Sequence, residues 1–571
     1  MALRDDTDPI ILLGEWCGPR TRRNCEVLPY HWDDRARLER DFRYLEGVYE
    51  RYLDALTILL NGVHRCDYPI KYWRILIGPW LRHFIEILFD RHLSIECAAH
   101  SGLVTHSWIG EINCANWIPR DFSTFSQFSF SDEWNHVIYD AIIRRRSDIP
   151  FEINGSLPLT PRPSSLPKAP PWQNLLHWLR VACVRLVPDS LNRIVFVTGD
   201  FSRLDLIKLQ LSLGQVPYLS APRIKPADYP ASMILRHDIN LSAGSNSFER
   251  LLDELIPVQI PTAYVEGFGN LRELALAAFP RMPDAIFTAN AFSADEGFKV
   301  WAAECVSRGT KLLIGQHGGG YGCWRWTQLE DHEVAIADRF YTWGWSRKEV
   351  DRVKPMPSPK LCRVKNALTA RPRGDILCVL MAMPRYSHYL YSGPLASQVL
   401  SYINDQIAFA RNISVPAREL LRIRPYQHDY GWNVKSRLAE ARLDTLIDTQ
   451  GNNFISRLQE CRLCVYTYNS TGYLETLAAN YPTLLFWNPN HWEIRPDAQP
   501  YFDDLRRVGI LYDTPEAASA KVNEIYRDPQ QWWRQPLVQA AKDRFCARFA
   551  RTRKDWLQEW KTELLQLTDH R

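Results

Sequence analysis

A glycine-rich loop at residues 315–322, Gly-Gln-His-Gly-Gly-Gly-Tyr-Gly, has the residue types best suited to chemistry. Because glycine has no Cβ and adopts positive φ readily, the backbone N–H groups of Gly318 and Gly319 can approach an anion closely. His317 would project from the loop, where its imidazole could bind a phosphate or a sugar hydroxyl, or act as an acid or base. No Gly-Lys-Ser/Thr follows, so the loop is not a P-loop. The alternative is a sterically demanding turn that carries a surface histidine.

A second candidate site lies at residues 468–479, where a strand end, a hydroxyl-rich turn and a helix follow one another. Ser470, Thr471 and the first free amides of the helix would bind a phosphate at the positive end of the helix dipole. Glu475 lies one turn further along the same face, where its carboxylate could accept hydrogen bonds from ribose hydroxyls. The alternative is an ordinary N-terminal cap with an acidic first turn. Together with the glycine loop, this turn favours the binding of a nucleotide sugar.

A third candidate is the basic and aromatic segment at residues 422–431. Arg424 could neutralise a donor phosphate or carboxylate through two parallel hydrogen bonds. Tyr426 follows it in the same strand-to-loop segment and is assigned to the donor site with it. The alternative is a solvated, charged loop.

Two glutamates are candidates for the catalytic carboxylate. Glu15 follows the apolar run at 10–13, and Glu266 follows the run at 262–265. The segment around Glu266 begins like a dinucleotide-binding fingerprint, but Arg272 takes the place of its third glycine, which argues against NAD or FAD. A structural role is the alternative for Glu266.

The elements that must position these residues are short apolar runs that alternate with helical patterns. This alternation predicts an α/β protein with two doubly wound, Rossmann-like parallel sheets facing a cleft. Ligands of such folds bind outside the carboxyl ends of the strands. The candidate strands are 193–198, 262–265, 285–288, 311–315, 339–343, 375–381, 463–466 and 483–486. The residues that follow candidate strands directly are Glu15, Asp200, Glu266, Asn290, His317 and Trp343.

Changes in composition divide the chain into four parts. Residues 1–345 are predicted to form an acceptor-side α/β domain with a helical insertion at about 36–100, where apolar residues recur at helical spacing. The polar, basic and proline-containing stretch 346–373 is predicted to be a linker. Residues 374–530 are then the nucleotide-donor domain, and 531–571 a helical tail.

The tail is basic and carries aromatic residues at helical spacing. Such a helix could rest on an anionic membrane surface, or it could pack against its own protein. The aromatic residues of this segment are Phe545, Phe549, Trp556 and Trp560.

Composition excludes several classes of protein. The 571 residues are 46% hydrophobic and 23% charged with a net charge of +4, typical of a folded protein and too mildly basic to indicate nucleic acid. The most apolar stretch, 72–89, contains Arg74, Arg82 and Glu86, so it is not predicted to span a bilayer. The start lacks a signal-peptide pattern, and the 13 scattered cysteines favour a reduced, cytoplasmic protein. Motifs of zinc proteases, α/β-hydrolases and kinases are missing, and no metal site is predicted.

Five strings give the chain a family resemblance that runs nearly end to end: residues 12–17, 73–80, 314–322, 342–345 and 470–475. They resemble a bacterial family of transferases encoded in O-antigen and surface-polysaccharide gene clusters. More distantly, the chain is similar to GT-B glycosyltransferases of capsule and lipopolysaccharide assembly, including the Kdo transferases that use CMP-Kdo. In those enzymes a Ser/Thr-rich turn and a following Glu hold the donor nucleotide, which carries over to Ser470, Thr471 and Glu475. Glu15 occupies the place where some Kdo transferases keep their catalytic base, and Glu266 lies in a segment loosely like an acidic motif of capsule enzymes.

The resemblance implies a metal-independent GT-B glycosyltransferase with no cofactor besides its nucleotide-sugar donor. The expected donor is a CMP-activated ulosonic acid, Kdo-like or sialic-like, and the expected acceptor is a lipid-linked or polysaccharide O-antigen or capsule chain. The expected location is the cytoplasm, with peripheral attachment to the inner membrane through the tail. A UDP- or GDP-sugar transferase, a non-catalytic scaffold of polysaccharide assembly and a nucleotide-sugar epimerase remain alternatives.

Overall fold

The computed structural model describes residues 10–17, 25–111, 114–156, 188, 191–218, 221–451 and 453–568. Its strands are β1 (Ile10–Leu12), β2 (Cys25–Val27), β3 (Ser107–Glu111), β4 (Phe151–Ser156), β5 (Ile194–Phe196), β6 (Ala285–Thr288), β7 (Lys311–Gly315), β8 (Arg339–Thr342), β9 (Val353–Pro355), β10 (Asp375–Val379), β11 (Leu421–Arg424), β12 (Cys461–Tyr466), β13 (Thr483–Phe486) and β14 (Leu511–Tyr512).

The first helices are α1 (Arg35–His64), α2 (Ile70–His100), α3 (Phe122–Ser129), α4 (Asp132–Ile143), α5 (Arg203–Ser212), α6 (Met233–His237), α7 (Ser247–Gln259), α8 (Phe268–Ala278), α9 (Ala291–Ala294), α10 (Glu296–Ser307) and α11 (Gln328–Ile336). The later ones are α12 (Pro359–Ala367), α13 (Gln398–Asn412), α14 (Val415–Arg418), α15 (Val434–Glu440), α16 (Phe454–Leu458), α17 (Thr471–Ala478), α18 (Gln499–Arg507), α19 (Pro515–Ile525), α20 (Pro529–Trp533), α21 (Pro536–Phe549) and α22 (Trp556–Thr568).

Two five-stranded parallel sheets form the frame of the molecule. The first has the order β5-β6-β7-β8-β9 and the second β11-β10-β12-β13-β14. The inner strands of both sheets are short apolar runs, and every residue of β6 and of β13 is buried. Such complete burial is expected of strands in a parallel sheet that helices cover on both faces. The loop after β7 meets the loop after β12, since the amide of Gly319 donates to Oγ1 of Thr471 at 2.8 Å. The carboxyl ends of the two sheets therefore face each other, which confirms the predicted GT-B-like fold.

Two predicted strands differ from the structure. Residues 262–265 contain a 3₁₀ helix, Thr262–Tyr264, because the amides of Thr262 and Ala263 bond to the carbonyls of Pro119 and Arg120 instead of to a neighbouring strand. The strand before Glu15 exists as β1, but it pairs only with β2 in a separate two-stranded sheet. Glu15 and Glu266 consequently do not follow strands of the main sheets.

The predicted helical insertion is formed by α1 and α2, an antiparallel pair. Most of α2 is buried, and its charged residues are paired inside the protein, for example Arg82 Nε with Glu86 Oε1 at 2.6 Å. Such pairing explains how an apolar helix keeps charges in the interior. Within the part of the chain that the structure describes, no helix is long and apolar enough to cross a membrane.

The segment predicted to be a linker, 346–373, contains β9 and α12, so the first sheet continues past residue 345. The tail then covers both domains. In α21, Phe545 and Phe549 are buried against Phe502 of the second domain. In α22, Trp560 packs on Phe287 and Tyr341 of the first sheet. These aromatic side chains therefore pack against their own protein.

Candidate functional site

The glycine loop and the start of α17 form one contact across the two domains. A Cβ placed on Gly319 would lie 2.3 Å from the carbonyl carbon of Ser470 and 2.6 Å from the amide nitrogen of Thr471. Only glycine allows the two backbones to approach this closely. The structure thus brings together Gly318, Gly319, Ser470 and Thr471, which the sequence placed in separate domains.

The glycine loop is held in shape by its neighbours. Gln316 Oε1 accepts hydrogen bonds from the amide of Trp343 at 2.9 Å and from Nε1 of Trp345 at 2.8 Å. The amide of Gly322 donates to Oε2 of the buried Glu330 at 2.8 Å. Gly322 has a φ of +72°, which a residue with a side chain rarely adopts. The loop is therefore a preformed element, as an anion site or a domain contact requires.

His317 lies directly after β7 with its side chain 29% exposed. Burial lowers the pKa of His317 to about 4, against a hydrogen bond to the Ala289 backbone, so the ring is neutral near neutral pH. The hydroxyl of Tyr321 lies 3.4 Å from the ring and donates to Oε1 of Glu333 at 2.7 Å. Burial raises the pKa of Glu333 well above its usual range, which favours the protonated form of this carboxyl. A neutral histidine can accept a hydrogen bond from a sugar hydroxyl or donate one to a phosphate.

The start of α17 offers polar groups to the same place. Ser470 is the N-terminal cap residue, and its side chain makes no capping hydrogen bond. The carboxylate of Glu475 is buried and pairs with Nζ of Lys360 at 2.6 Å. Lys360 is contributed by α12, which packs against α17. Glu475 therefore lies one turn after Thr471 on α17, where a lysine neutralises its charge.

Sequence reasoning missed the two cations of α12, because residues 346–373 were interpreted as a linker. Lys360 and Arg363 lie one turn apart, and Arg363 Nη1 donates to the backbone carbonyl of Asp200 at 3.4 Å. Asp200 follows β5 at the carboxyl edge of the first sheet. The basic composition of residues 346–373 was the signal that could have indicated these two cations. The packing of α12 against α17, however, depends on the tertiary fold.

Arg424 and Tyr426 lie at the end of β11, on the second domain. Arg424 Nη1 pairs with Oδ2 of the buried Asp448 at 2.8 Å, and its guanidinium lies over the ring of Phe454. Tyr426 is 50% exposed. Burial raises the pKa of Tyr468, which lies just before α17, and Cys464, Glu475 and Tyr426 add to the shift.

The two candidate carboxylates lie in different surroundings. Glu266 forms a double ion pair with Arg236, with Oε1 2.7 Å from Nε and Oε2 2.9 Å from Nη2, and it also accepts from the amide of Ser232. Its side chain is only 6% exposed. Glu15 is exposed in the bend after β1. In the described ranges, the hydrogen bonds of Glu266 join it to residues 232 and 236 and none joins it to the glycine loop.

Two facing parallel-sheet domains, with a glycine loop against a helix start, define an α/β protein of the GT-B type. The particular family is shown by sequence: the chain belongs to the LIC12162 family of transferases, whose model matches residues 2–564. None of the curated proteins compared with the chain matches it.

Solved structures resemble the chain only weakly. It is similar to an α,α-trehalose 6-phosphate synthase from Burkholderia multivorans, with 12% identity, 53% of this chain and 76% of that chain covered, and a TM-score of 0.31. It is also similar to WaaG, a glycosyltransferase involved in lipopolysaccharide biosynthesis, with 12% identity, 65% and 99% coverage, and a TM-score of 0.28. Similarity at this level assigns no substrate.

Proposed function

We propose that this transferase is a glycosyltransferase that moves a sugar from a nucleotide donor to a surface-glycan acceptor. The observation that carries the proposal is the contact of the glycine loop, which carries His317, with the start of α17, the helix that carries Glu475. A nucleotide sugar needs a site for phosphate, a site for ribose and a site for the sugar, and these groups supply one of each. Carboxyl ends of parallel strands are also where ligands of such folds bind.

In this proposal the start of α17 holds the donor. The amides after Ser470 and Thr471 bind the phosphate at the positive end of the helix. Glu475 accepts hydrogen bonds from the ribose, and Lys360 is released from it to face the phosphate. Arg424 remains a candidate for the phosphate as well, although that role would compete with its ion pair to Asp448.

The departing phosphate needs positive charge, which side chains supply in a mechanism without a metal ion. Lys360 and Arg363 are two cations on one face of α12 beside the donor site. A CMP-linked ulosonic acid carries one phosphate and one carboxylate, and this pair of anionic groups matches the pair of cations. We therefore keep the CMP-ulosonic acid as the proposed donor, with UDP- and GDP-sugars as alternatives.

The acceptor and the location are part of the same proposal. An O-antigen or capsule chain would be the acceptor, reached at the cytoplasmic face of the inner membrane. Because the tail buries its aromatic residues Phe545, Phe549 and Trp560, attachment to anionic lipid would depend on its basic side chains. Glu15 and Glu266 remain predicted catalytic carboxylates, but use of Glu266 would break its double ion pair with Arg236.

A thermal-shift panel of CMP, UDP, GDP and ADP, with and without magnesium, tests the donor class. A ligand at 100 times its Kd should add about 2.7 kcal/mol of apparent stability. Stabilisation by CMP alone and without dependence on magnesium supports the CMP donor and the metal-free mechanism. Stabilisation by UDP or GDP keeps the transferase and replaces the donor.

Two matched variants test whether the nucleotide that causes the thermal shift binds beside Glu475. Glu475→Ala should abolish the shift caused by the nucleotide, whereas Glu440→Ala, at an exposed position of α15, should leave it unchanged. No shift with any nucleotide, and no release of free nucleotide from any nucleotide sugar, would contradict the proposal and favour a scaffold.

A further inference from the structure

Asp200 lies at the same edge of the first sheet as His317. The hydroxyl of Thr198, which lies between β5 and Asp200, bonds to the hydroxyl of Thr288 at 2.8 Å and accepts from the amide of Ala289 at 3.2 Å. These bonds fasten the loop after β5 to the loop after β6. Because β5 pairs with β6 and β6 pairs with β7 in parallel, the loops after these three strands form one continuous edge.

The carboxylate of Asp200 is incompletely satisfied. Its Oδ2 is shielded from solvent and has no hydrogen-bond partner among the described residues. A buried polar atom without a partner is costly, and such atoms are rare in native proteins. A purely structural role of Asp200 does not explain why its Oδ2 is left without a partner at this cost in free energy.

Charged groups from two other elements face Asp200. Lys360 and Arg363 come from α12, and Glu475 comes from α17 of the second domain. Lys360 is engaged with Glu475, and Arg363 reaches the backbone carbonyl of Asp200 and Oδ2 of Asp205, at 3.7 Å. The free carboxylate oxygen thus lies beside the groups that we assign to the donor.

Asp200 differs in this respect from Glu266. Both oxygens of Glu266 accept hydrogen bonds from the buried Arg236 guanidinium, so a proton taken up by Glu266 would neutralise the partner of that cation. A base needs an oxygen with an available lone pair next to the substrate. Asp200 has such an oxygen and lies on the first domain, where the acceptor is expected.

We propose that Asp200 is the catalytic base that removes the proton from the acceptor hydroxyl. The inference rests on the proposed glycosyltransferase function and adds to it the identity of the base. In the step, the acceptor O–H bond breaks and its proton passes to Oδ2 of Asp200. The acceptor oxygen forms a bond to the anomeric carbon, while the bond from that carbon to the donor phosphate oxygen breaks and its electron pair leaves with the nucleotide. A single displacement of this kind inverts the anomeric configuration.

The acidity of the group agrees with this role. Burial raises the pKa of Asp200, Lys360 and Arg363 oppose the shift, and Glu475 adds to it, so that the resulting pKa is about 6. A base whose pKa lies near the working pH is more effective than an ordinary aspartate.

The test compares Asp200→Asn with Asp205→Asn, a control on α5 close to the same loop. The probes are CMP-N-acetylneuraminic acid, UDP-N-acetylglucosamine and GDP-mannose, with water as the acceptor and release of free nucleotide as the signal. Asp200→Asn should lower the turnover number by about 10²–10⁴-fold, with the nucleotide-induced thermal shift unchanged. Asp205→Asn should keep the wild-type rate. The acid limb of the wild-type pH profile, near pH 6, should disappear in the Asp200 variant.

The outcomes separate the two proposals. If the wild-type protein turns over a donor and Asp200→Asn retains its rate or its acid limb, the inference is wrong and the glycosyltransferase function stands. Release of a sugar with retained anomeric configuration, seen by NMR, also overturns it. If the wild-type protein neither binds nor turns over any of the donors, the proposed function fails and the inference fails with it.

Discussion

The contact between the glycine loop and α17 predicts that Gly319→Ala destabilises the protein. The added Cβ would lie 2.3 Å from the carbonyl carbon of Ser470 and 2.6 Å from the amide nitrogen of Thr471. Both are backbone atoms, which cannot rotate away as a flexible side chain would. The two domains must therefore separate locally by about 1 Å before the methyl group fits, since ordinary carbon contacts begin near 3.5 Å.

The size of the effect follows from two contributions. Forcing an extra methyl group into a packed contact costs about 1–3 kcal/mol. Losing the hydrogen bond from Gly319 to Thr471, which is 2.8 Å long, costs about 0.5–1.5 kcal/mol more. Alanine restricts the unfolded chain and returns about 0.4–1 kcal/mol. We expect a net loss of about 0.5–4 kcal/mol.

The assay is denaturant unfolding followed by circular dichroism, with Gly62→Ala as the control. Gly62 lies in α1, where an added Cβ meets nothing within 4 Å, so this change should stabilise the protein by up to about 1 kcal/mol. Thr471→Ser should behave as the wild type, because it keeps the hydroxyl that Gly319 bonds. An unfolding midpoint for Gly319→Ala equal to that of the wild type would refute the close approach of the two backbones.

Three further predictions concern buried charges. Glu266→Gln should cost about 3–5 kcal/mol of stability, because it leaves Arg236 charged and buried without a countercharge; an unchanged midpoint in the same unfolding assay would argue against a structural role of this pair. His332 is buried, which lowers its pKa from 6.5 to about 3, so the unfolded chain binds an extra proton between these values and stability is lost as the pH falls through that range. His332→Gln should make the melting temperature less sensitive to pH there, and an equally steep fall would contradict the assignment. Lys360→Met leaves Glu475 without its cation and should weaken nucleotide binding in the thermal-shift panel, whereas wild-type affinity would show that the lysine does not contact the donor.

Much of the frame could be predicted from the sequence. Strands such as 285–288 and 483–486 are continuous apolar runs with few interpretations in an α/β chain, and the structure confirms them. The glycine loop was identified because clustered glycines signal a backbone that approaches something closely. A local sequence pattern is sufficient to predict structure when it directly reflects the burial of a strand or the backbone freedom of glycine.

Other features depended on distant parts of the chain. The run 262–265 has the composition of a strand, but its amides bond to residues 119 and 120, which no local pattern reveals. Glu266 is a predicted catalytic carboxylate, but its ion pair with Arg236, thirty residues earlier, could not be inferred from the neighbouring sequence. The importance of Lys360 likewise depends on the packing of α12 against α17. The residues that pair with a charged side chain are determined by the tertiary fold, so the neighbouring sequence does not reveal them.

The return of α22 to the first sheet affects how the chain must fold as it is made. Trp560 and Leu564 complete a core cluster that otherwise contains Phe196, Phe287 and Tyr341, all from the first domain. At about 5–20 residues per second, a ribosome needs about 11–44 s to advance from Tyr341 to Trp560. During that interval the side chains that α22 covers, among them Phe287 and Tyr341, stay exposed on the nascent first domain, and chaperone protection during synthesis would act on this apolar face.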